Sequence, residues 1–495
     1  MKKLKIVLVA ALLGGLIGCD ILETEPRQSL LIDETLVDTQ GMEGLVTGLY
    51  DGIQDPDIAG GNYNIVPEIL ADNVVWSGSF TNYARVHQHN MVPENPTTNW
   101  WVISYRTINM ANLVIEEAAN ILEDPAVTQA DVDLLLGDAH FIRGMLYFEM
   151  ARVFSSPWWT TGDGSHDGVP IRTNSATEID EFENLPRASL AVSYDQAETD
   201  LMAAVNLLPD VGVRADRRAT RSTALGYLMR LEMTKGNYAA AAEYAEQIMD
   251  TGHYELTDHP EDPFLNEFSE ESIFEVIHTA QDNPGVNAGQ NAFYATTAMG
   301  GRGDIEISEG FVNAFTSIIT EDQQAAIDAA GYEVVDLRGE LLTSLEPGTG
   351  ATMKFRDGVN NADNVMNMRY ADILLSRAEA LAEEAEDLAS VPQETYDLLN
   401  EVRTRSLNVT DPATGAPFDE FIEFDETDFD VKEELIDAIL LERQVELAFE
   451  GDRFHTLQRK GLNVRITPAG GDAILFPLPQ GEVDANPEID QHGGY

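Results

Sequence analysis

The sequence predicts a mainly α-helical chain, with about four pairs of helices packed as hairpins. Long loop-rich insertions holding a few short strands interrupt them. Three observations carry this reading. Apolar residues recur at helical spacing through most of 101–250 and 366–465. Small Ala residues stand at facing positions of paired segments, where they let two helices approach closely. The stretches 51–100 and 252–365 show no sustained helical period, and the first is rich in Gly, Asn, Pro and aromatic residues.

The chain opens on Lys2, Lys3 and Lys5, then the apolar run Ile6 to Leu13, then Leu16-Ile17-Gly18-Cys19. The run is too short to span a bilayer as a mature helix. The only cysteine, Cys19, falls where a bacterial lipobox places its acylated residue, so residues 1–18 read as a lipoprotein signal peptide and Cys19 as the lipid-bearing mature N-terminus. Residues 19–40 read as a tether and 41–495 as one domain. Helical patterning starts near Met42 with Leu45, Leu49 and Tyr50. It resumes at Trp101 through Tyr105, Ile108, Asn112 and Ile115, and again over His140–Phe154 with Phe141, Met145, Phe148 and Val153 facing a core. Another helix starts near Ser193.

Ala224, Tyr227, Leu228 and Leu231 line one helix, Lys235-Gly236-Asn237 makes a turn, and Tyr238, Ala241, Ala242, Ala245 and Ile248 line the next. Leu374, Ala378 and Leu381 face Tyr396, Leu399, Val402 and Arg403 in the same manner. Such pairs make the scaffold tetratricopeptide-like, decorated by insertions at 252–365 and 408–430. Within the first insertion, 273–277 reads as a strand.

The last scaffold segment is the most informative. In Leu440-Leu441-Glu442-Arg443-Gln444-Val445-Glu446-Leu447-Ala448-Phe449-Glu450-Gly451-Asp452-Arg453-Phe454, an apolar stripe lies beside closely spaced charges. Gly451 suits a left-handed position past a helix end, with Asp452 capping a second helix to Lys460. Charges beside a core need partners, so Arg443, Glu446, Glu450 and Arg453 read as a structural ion network pinning two helices together.

This run resembles the signature of the SusD/RagB family of nutrient-binding outer-membrane lipoproteins, roughly E-R-R-x-E-L-A-F-E-G-x-R-[WF]-x-D-L. Gln444 stands where the second Arg is usual and Thr456 where Asp is common. The resemblance continues through Arg143, Gly144, Tyr147, Phe148, Arg152 and Phe154, through Asp336-Leu337-Arg338 and Lys354-Phe355, and into the ending Pro477-Leu478-Pro479 to Gly494-Tyr495. It implies a surface-exposed lipoprotein of the outer membrane, facing the cell exterior. Such a protein binds glycans or oligosaccharides and acts as the lid of a SusC-like TonB-dependent transporter. A peptide-binding uptake protein of the same family is the alternative, then a surface glycoside hydrolase.

Composition narrows the partners. With 86 acidic against 30 basic side chains, the net charge is -56, which argues against electrostatically driven nucleic-acid binding. The acids are spread over the whole length and Lys is scarce, a pattern suited to concentrated salt. No nucleophile elbow or phosphate-binding loop is present, so no enzyme activity and no cofactor is expected. His87 and His89 are a weak metal pair on one face of a strand. Asp55 with Asp57, and Asp163 with Asp167, offer a structural Ca2+ only outside any established loop pattern.

Sugars stack apolar faces on aromatic rings and bond their hydroxyls to carboxylates, amides and guanidiniums. Segment 72–101 supplies such groups in Phe80, Asn82 and Arg85 besides the leading candidates. By the resemblance, ligand aromatics belong there and in the middle insertion with Phe293 and Tyr294. The expected ligand-binding residues are Asp72, Asn73, Trp76, Tyr83, Trp100 and Tyr294, with Trp158-Trp159 as a secondary candidate.

Overall fold

A computed structural model describes residues 38–93, 97–177, 183–265 and 267–495. The signal peptide, Cys19 and most of the tether lie outside the described residues. The helices are α1 (Thr39–Gln54), α2 (Asn62–Leu70), α3 (Thr81–His87), α4 (Thr97–Glu117), α5 (Gln129–Phe154), α6 (Leu190–Leu207), α7 (Arg221–Lys235) and α8 (Tyr238–Met249). They continue with α9 (Gly289–Tyr294), α10 (Glu309–Thr316), α11 (Glu321–Ala330), α12 (Tyr370–Glu384), α13 (Gln393–Ser406), α14 (Lys432–Glu446), α15 (Asp452–Arg459) and α16 (Gln480–Ala485). The strands are β1 (Val74–Trp76), β2 (Ser272–Val276), β3 (Ile305–Ile307), β4 (Glu333–Asp336), β5 (Val365–Arg369) and β6 (Leu407–Thr410).

The scaffold is a stack in which each helix packs on the next: α1 on α4, then α5, α6, α7, α8, α12 and α13. Residue chemistry fixes the joints. Thr128 and Asp131 form a capping box that starts α5 well ahead of the His140 expected from the apolar pattern. Gly236, at φ 72°, ends α7 in the left-handed conformation before α8 begins. At Gly144 a Cβ would lie 2.9 Å from the Leu201 side chain and 3.0 Å from the Ala197 carbonyl, so a larger residue would push α6 off α5. Between these helices Phe141, Phe148, Tyr194, Tyr227 and Phe274 meet in one fully or nearly buried aromatic core.

Two expectations change. The helices of the signature run do not form a hairpin with each other: α14 packs on α12 and α10, while α15 packs on α2 and α7. The first stops at Glu446, and Phe449 and Gly451 both adopt positive φ in the turn that redirects the chain. Segment 51–100 is not merely loop, since it holds the buried helix α2 as well as β1 and α3. The strands form three antiparallel pairs, β1–β3, β2–β5 and β4–β6. Among the described residues no helix is long and apolar enough to cross a membrane.

Candidate ligand-binding face

β1 is only three residues long, but its pairing with β3 puts Trp76 opposite Ile305 and lays 77–80 beside 302–304. The amides of Ser77 and Gly78 both donate to the Asp304 carbonyl, at 2.9 and 3.2 Å. α3 then folds back so that Tyr83 stacks on Trp76, with centroids 4.9 Å apart. Phe293 of α9 stands edge-on to both rings, at 5.3 and 5.1 Å. Trp76 and Tyr83 are nearly buried and Phe293 fully so. The half-buried ring of Phe80 lies over this base, 6.0 Å from Phe293. The Arg302 guanidinium is spread over Phe80 at 4.3 Å, a cation–π contact. Arg302 is held there by Asp304 (2.6 Å) and Asn287 (3.2 Å), and it reaches Ser79 at 3.4 Å.

A polar chain continues from the aromatic base. The Tyr83 hydroxyl donates to Asn62 Oδ1 (2.9 Å), and the Asn62 amide donates to Asp57 (3.1 Å), which also accepts from Asn99 (2.8 Å). Burial, and then the neighbouring Asp55, push the Asp57 pKa up against the bond from Asn99. Asn82, Asn99 and Asn287 are exposed. The face therefore combines a flat aromatic–guanidinium platform with amides and carboxylates around it.

Most of the expected ligand residues lie elsewhere. Trp100 is fully buried, stacked on Tyr63 at 4.2 Å and edge-on to Phe476. Tyr294 is fully buried against Phe355 and Phe449, so it supports the signature turn. Asn73 is also fully buried, where its amide donates to Glu68 (3.0 Å) and its carbonyl accepts from Gln444 (2.9 Å). Asp72 is taken by Arg453 through two bonds of 2.8 and 3.0 Å. Trp100, Asn73 and Tyr294 are closed off by burial, and the part-exposed Asp72 carboxylate is engaged by Arg453. Trp76 and Tyr83 do converge, but as the support beneath Phe80. In the secondary loop, Trp158 packs on Tyr194 while Trp159 stays 41% exposed, its indole N–H donating to the Gln458 carbonyl.

The two histidines of the metal candidates bond protein groups. His87 ends α3, a helix rather than a strand, and sits between Arg465 and the Ile69 carbonyl; burial and then Arg465 lower its pKa to about 4. His89 bonds Thr467 and the Leu70 carbonyl. Asp163 accepts from the Ser165 amide, and the backbone of the exposed Asp167 forms an isolated β-bridge with that of Ser189. Among the described residues no three His, Cys, Asp or Glu side chains gather as a metal-holding group.

The signature charges are in ion pairs, and apart from Arg443 with Asp452 the partners named below lie far along the chain. Glu442 takes Arg338 (2.6 Å) and Arg403 (2.7 Å). Glu446 takes Arg369 (2.6 Å) and Arg405 (2.5 Å), and Glu450 takes Lys354 (2.7 Å) and Arg369 (2.9 Å). Arg443 bridges Asp372 and Asp452, and Arg453 holds Asp72. Burial works against the Glu446 charge, but Arg405, Arg369 and Arg338 outweigh it and hold its pKa well below the carboxylate range.

Two family models match the chain. One, described as starch-binding and associating with the outer membrane, covers residues 20–233; the other, the SusD family, covers 346–467 and with it the whole signature run. The chain belongs to the SusD/RagB family. The SusD-like protein P2 of Formosa agariphila is 24% identical over 533 aligned positions, spanning 99% of each chain. Among solved structures, a SusD superfamily protein from Bacteroides thetaiotaomicron superposes with a TM-score of 0.72 at 21% identity, over 92% of this chain and 99% of that one. A laminarin-binding SusD-like protein gives 0.68 at 20%, over 92% and 100%. In this SusD/RagB chain the two departures from the signature are each absorbed locally. Gln444 reaches Asn73 and Thr456 donates to Asp452 at 3.1 Å.

The sequence reading misses Arg302, Asp304, Asn287 and Asn99 as site residues. Arg302 and Asp304 stand in a Gly-rich run whose only local signal is loop. Their place depends on β1 finding β3, more than 200 residues away, and nothing in a three-residue strand announces its partner.

Proposed function

We propose that this chain is a non-catalytic glycan-binding lipoprotein that captures saccharides on the Phe80–Arg302 face and passes them to a SusC-like TonB-dependent transporter for which it acts as lid. The observation that carries the reading is the Arg302 guanidinium stacked on a solvent-reaching aromatic ring and bonded to the exposed Asn287 amide. That arrangement suits a pyranose, whose apolar face needs a flat surface and whose edge needs donors and acceptors together. The starch-binding description of the family model and the laminarin-binding neighbour support the same ligand class. In this reading, lipid on Cys19 holds the domain at the outer-membrane surface, facing outwards.

Titration calorimetry against a panel of soluble glucans, with laminarin and malto-oligosaccharides included, tests the ligand. Phe80→Ala/Arg302→Ala is expected to weaken binding at least tenfold without lowering the melting temperature. Unchanged affinity in that variant excludes the face; binding of peptides and of no glycan moves the ligand to the alternative class. Purification of the full lipoprotein from gently solubilised outer membrane, followed by mass spectrometry, tests the partner. Recovery of a TonB-dependent barrel is expected, and a monomer without one contradicts the lid role.

A further inference from the structure

The exposed side of α4 runs away from the proposed face. Asn99, bonded to Asp57, is followed on the same side by Val102, 55% exposed, then Arg106, also exposed, and Asn109. These positions are spaced by three, four and three residues, so they form one stripe along the helix. From Asn99 to Arg106 the stripe advances about 10 Å along the axis.

The stripe ends at a pocket of about 320 Å³ between α4, the 170–172 loop and Glu482 of α16. Its apolar wall is the half-buried ring of Tyr105 with Pro170, and the buried ring of Trp101 backs Tyr105 with centroids 4.9 Å apart. The wall is fixed before any ligand arrives. The Tyr105 hydroxyl donates to the Pro170 carbonyl at 2.7 Å, and Asn109 exchanges two bonds with the Ala176 backbone, at 2.9 and 2.8 Å. Arg106 and Arg172 bring positive charge and Glu482 negative charge to the same pocket. A rigid aromatic wall with charged hydrogen-bonding groups of both signs at its edge suits a ring that has an apolar face and hydroxyls around it.

We propose that this pocket takes one pyranose ring of a saccharide chain that also lies on the Phe80–Arg302 face, so that α4 carries a track with two separated contact points. The inference rests on the carbohydrate reading of that face and adds a preference for longer chains. A single short saccharide can occupy only one end, whereas a chain long enough to follow the stripe engages both.

Calorimetry with laminari- and malto-oligosaccharides of increasing length, on the full-length chain, separates the two claims. For the unaltered protein, affinity is expected to rise about tenfold or more once the chain spans both points. Arg106→Ala/Glu482→Ala, both surface positions, is expected to abolish that rise while leaving short-chain affinity and melting temperature as they were. Phe80→Ala/Arg302→Ala is expected to remove short-chain binding. An intact rise in the Arg106/Glu482 variant overturns the pocket and leaves the face standing. Loss of binding only in the Arg106/Glu482 variant overturns the face and keeps the pocket. No binding of either series by the unaltered protein overturns both.

Discussion

Glu68 lies fully buried in α2, where its carboxyl accepts from the Asn73 amide and from the Gly451 backbone N–H, each at 3.0 Å. Burial pushes its pKa from 4.5 to about 8, against the pull of those two bonds and of Lys354, and with Asp452 adding to the rise. Between these two values the native state holds a proton that the unfolded chain has released. Stability therefore falls as pH rises through that window, and above about pH 8 the full cost is present, on the order of a few kcal/mol. Glu68→Gln is expected to flatten the decline in melting temperature between pH 5 and 8.5, and to match the unaltered protein at the acidic end. A slope that survives the substitution assigns the decline to another group. At this scale the sequence is least legible. Trp76, Tyr83, Trp100 and Tyr294 carry the residue types that a sugar site uses, yet a ring stacked on a sugar and a ring stacked on Phe476 look alike in a sequence. Only burial separates them, and burial is set by segments far away in the chain.

Between elements, the need for partners is legible but their identity is not. Glu442, Arg443, Glu446 and Glu450 sit beside an apolar stripe, which is enough to require compensating charges. The partners Arg338, Arg403 and Arg405 come from the single 3-10 turn after β4, Leu337–Leu341, and from α13, and each is at least 39 residues from the signature acid it meets. Removing one central acid strands several guanidiniums at once. Glu446→Ala leaves Arg369 and Arg405 short of a carboxylate, and is expected to destabilise the fold by about 3–5 kcal/mol in urea titration. A loss below about 1 kcal/mol would show that solvent or the remaining acids compensate for it. Gly451, at φ 86°, has no room for a side chain: a Cβ there would lie 2.5 Å from the Tyr63 carbonyl. Gly451→Ala is therefore expected to cost more than about 1 kcal/mol and to loosen the docking of α15 on α2, read as faster amide exchange in both helices. The left-handed glycine was visible in sequence; its contact with α2 was not.

Over the whole molecule, the helical order is the most legible feature, because periodicity survives without knowledge of neighbours. The α7–α8 and α12–α13 pairs follow from their apolar positions and turns. The divergence of α14 from α15 does not, since a turn sequence fixes where a helix stops more firmly than where the next one goes. Charge acts at this scale too. A net -56 spread over the chain repels itself in dilute buffer, while the ion pairs around Glu442 and Glu446 are buried beyond the reach of mobile ions. Raising NaCl from about 0.1 to 1 M, which shortens the screening length from about 10 to 3 Å, is expected to raise the melting temperature. A melting temperature that falls with salt would mean that the attractive pairs, not the repulsive surface, dominate the response.

Arg369, at the end of β5, meets Glu271, Glu446 and Glu450 at sequence separations of 98, 77 and 81 residues. No local segment can assemble that arrangement, so a long loop must close before any of its attraction is gained. The order of events in folding follows from this. The upstream helical hairpins can collapse early on local contacts, but the guanidiniums of Arg338, Arg369 and Arg403 lack the carboxylates of Glu442, Glu446 and Glu450 until α14 and the turn after it arrive. A chain cut before Glu442 keeps those three cations but loses the carboxylates of Glu442, Glu446 and Glu450, leaving Arg369 with Glu271 and Arg338 with Asp336 as their remaining ion-pair partners, and is expected to bury them at a higher cost.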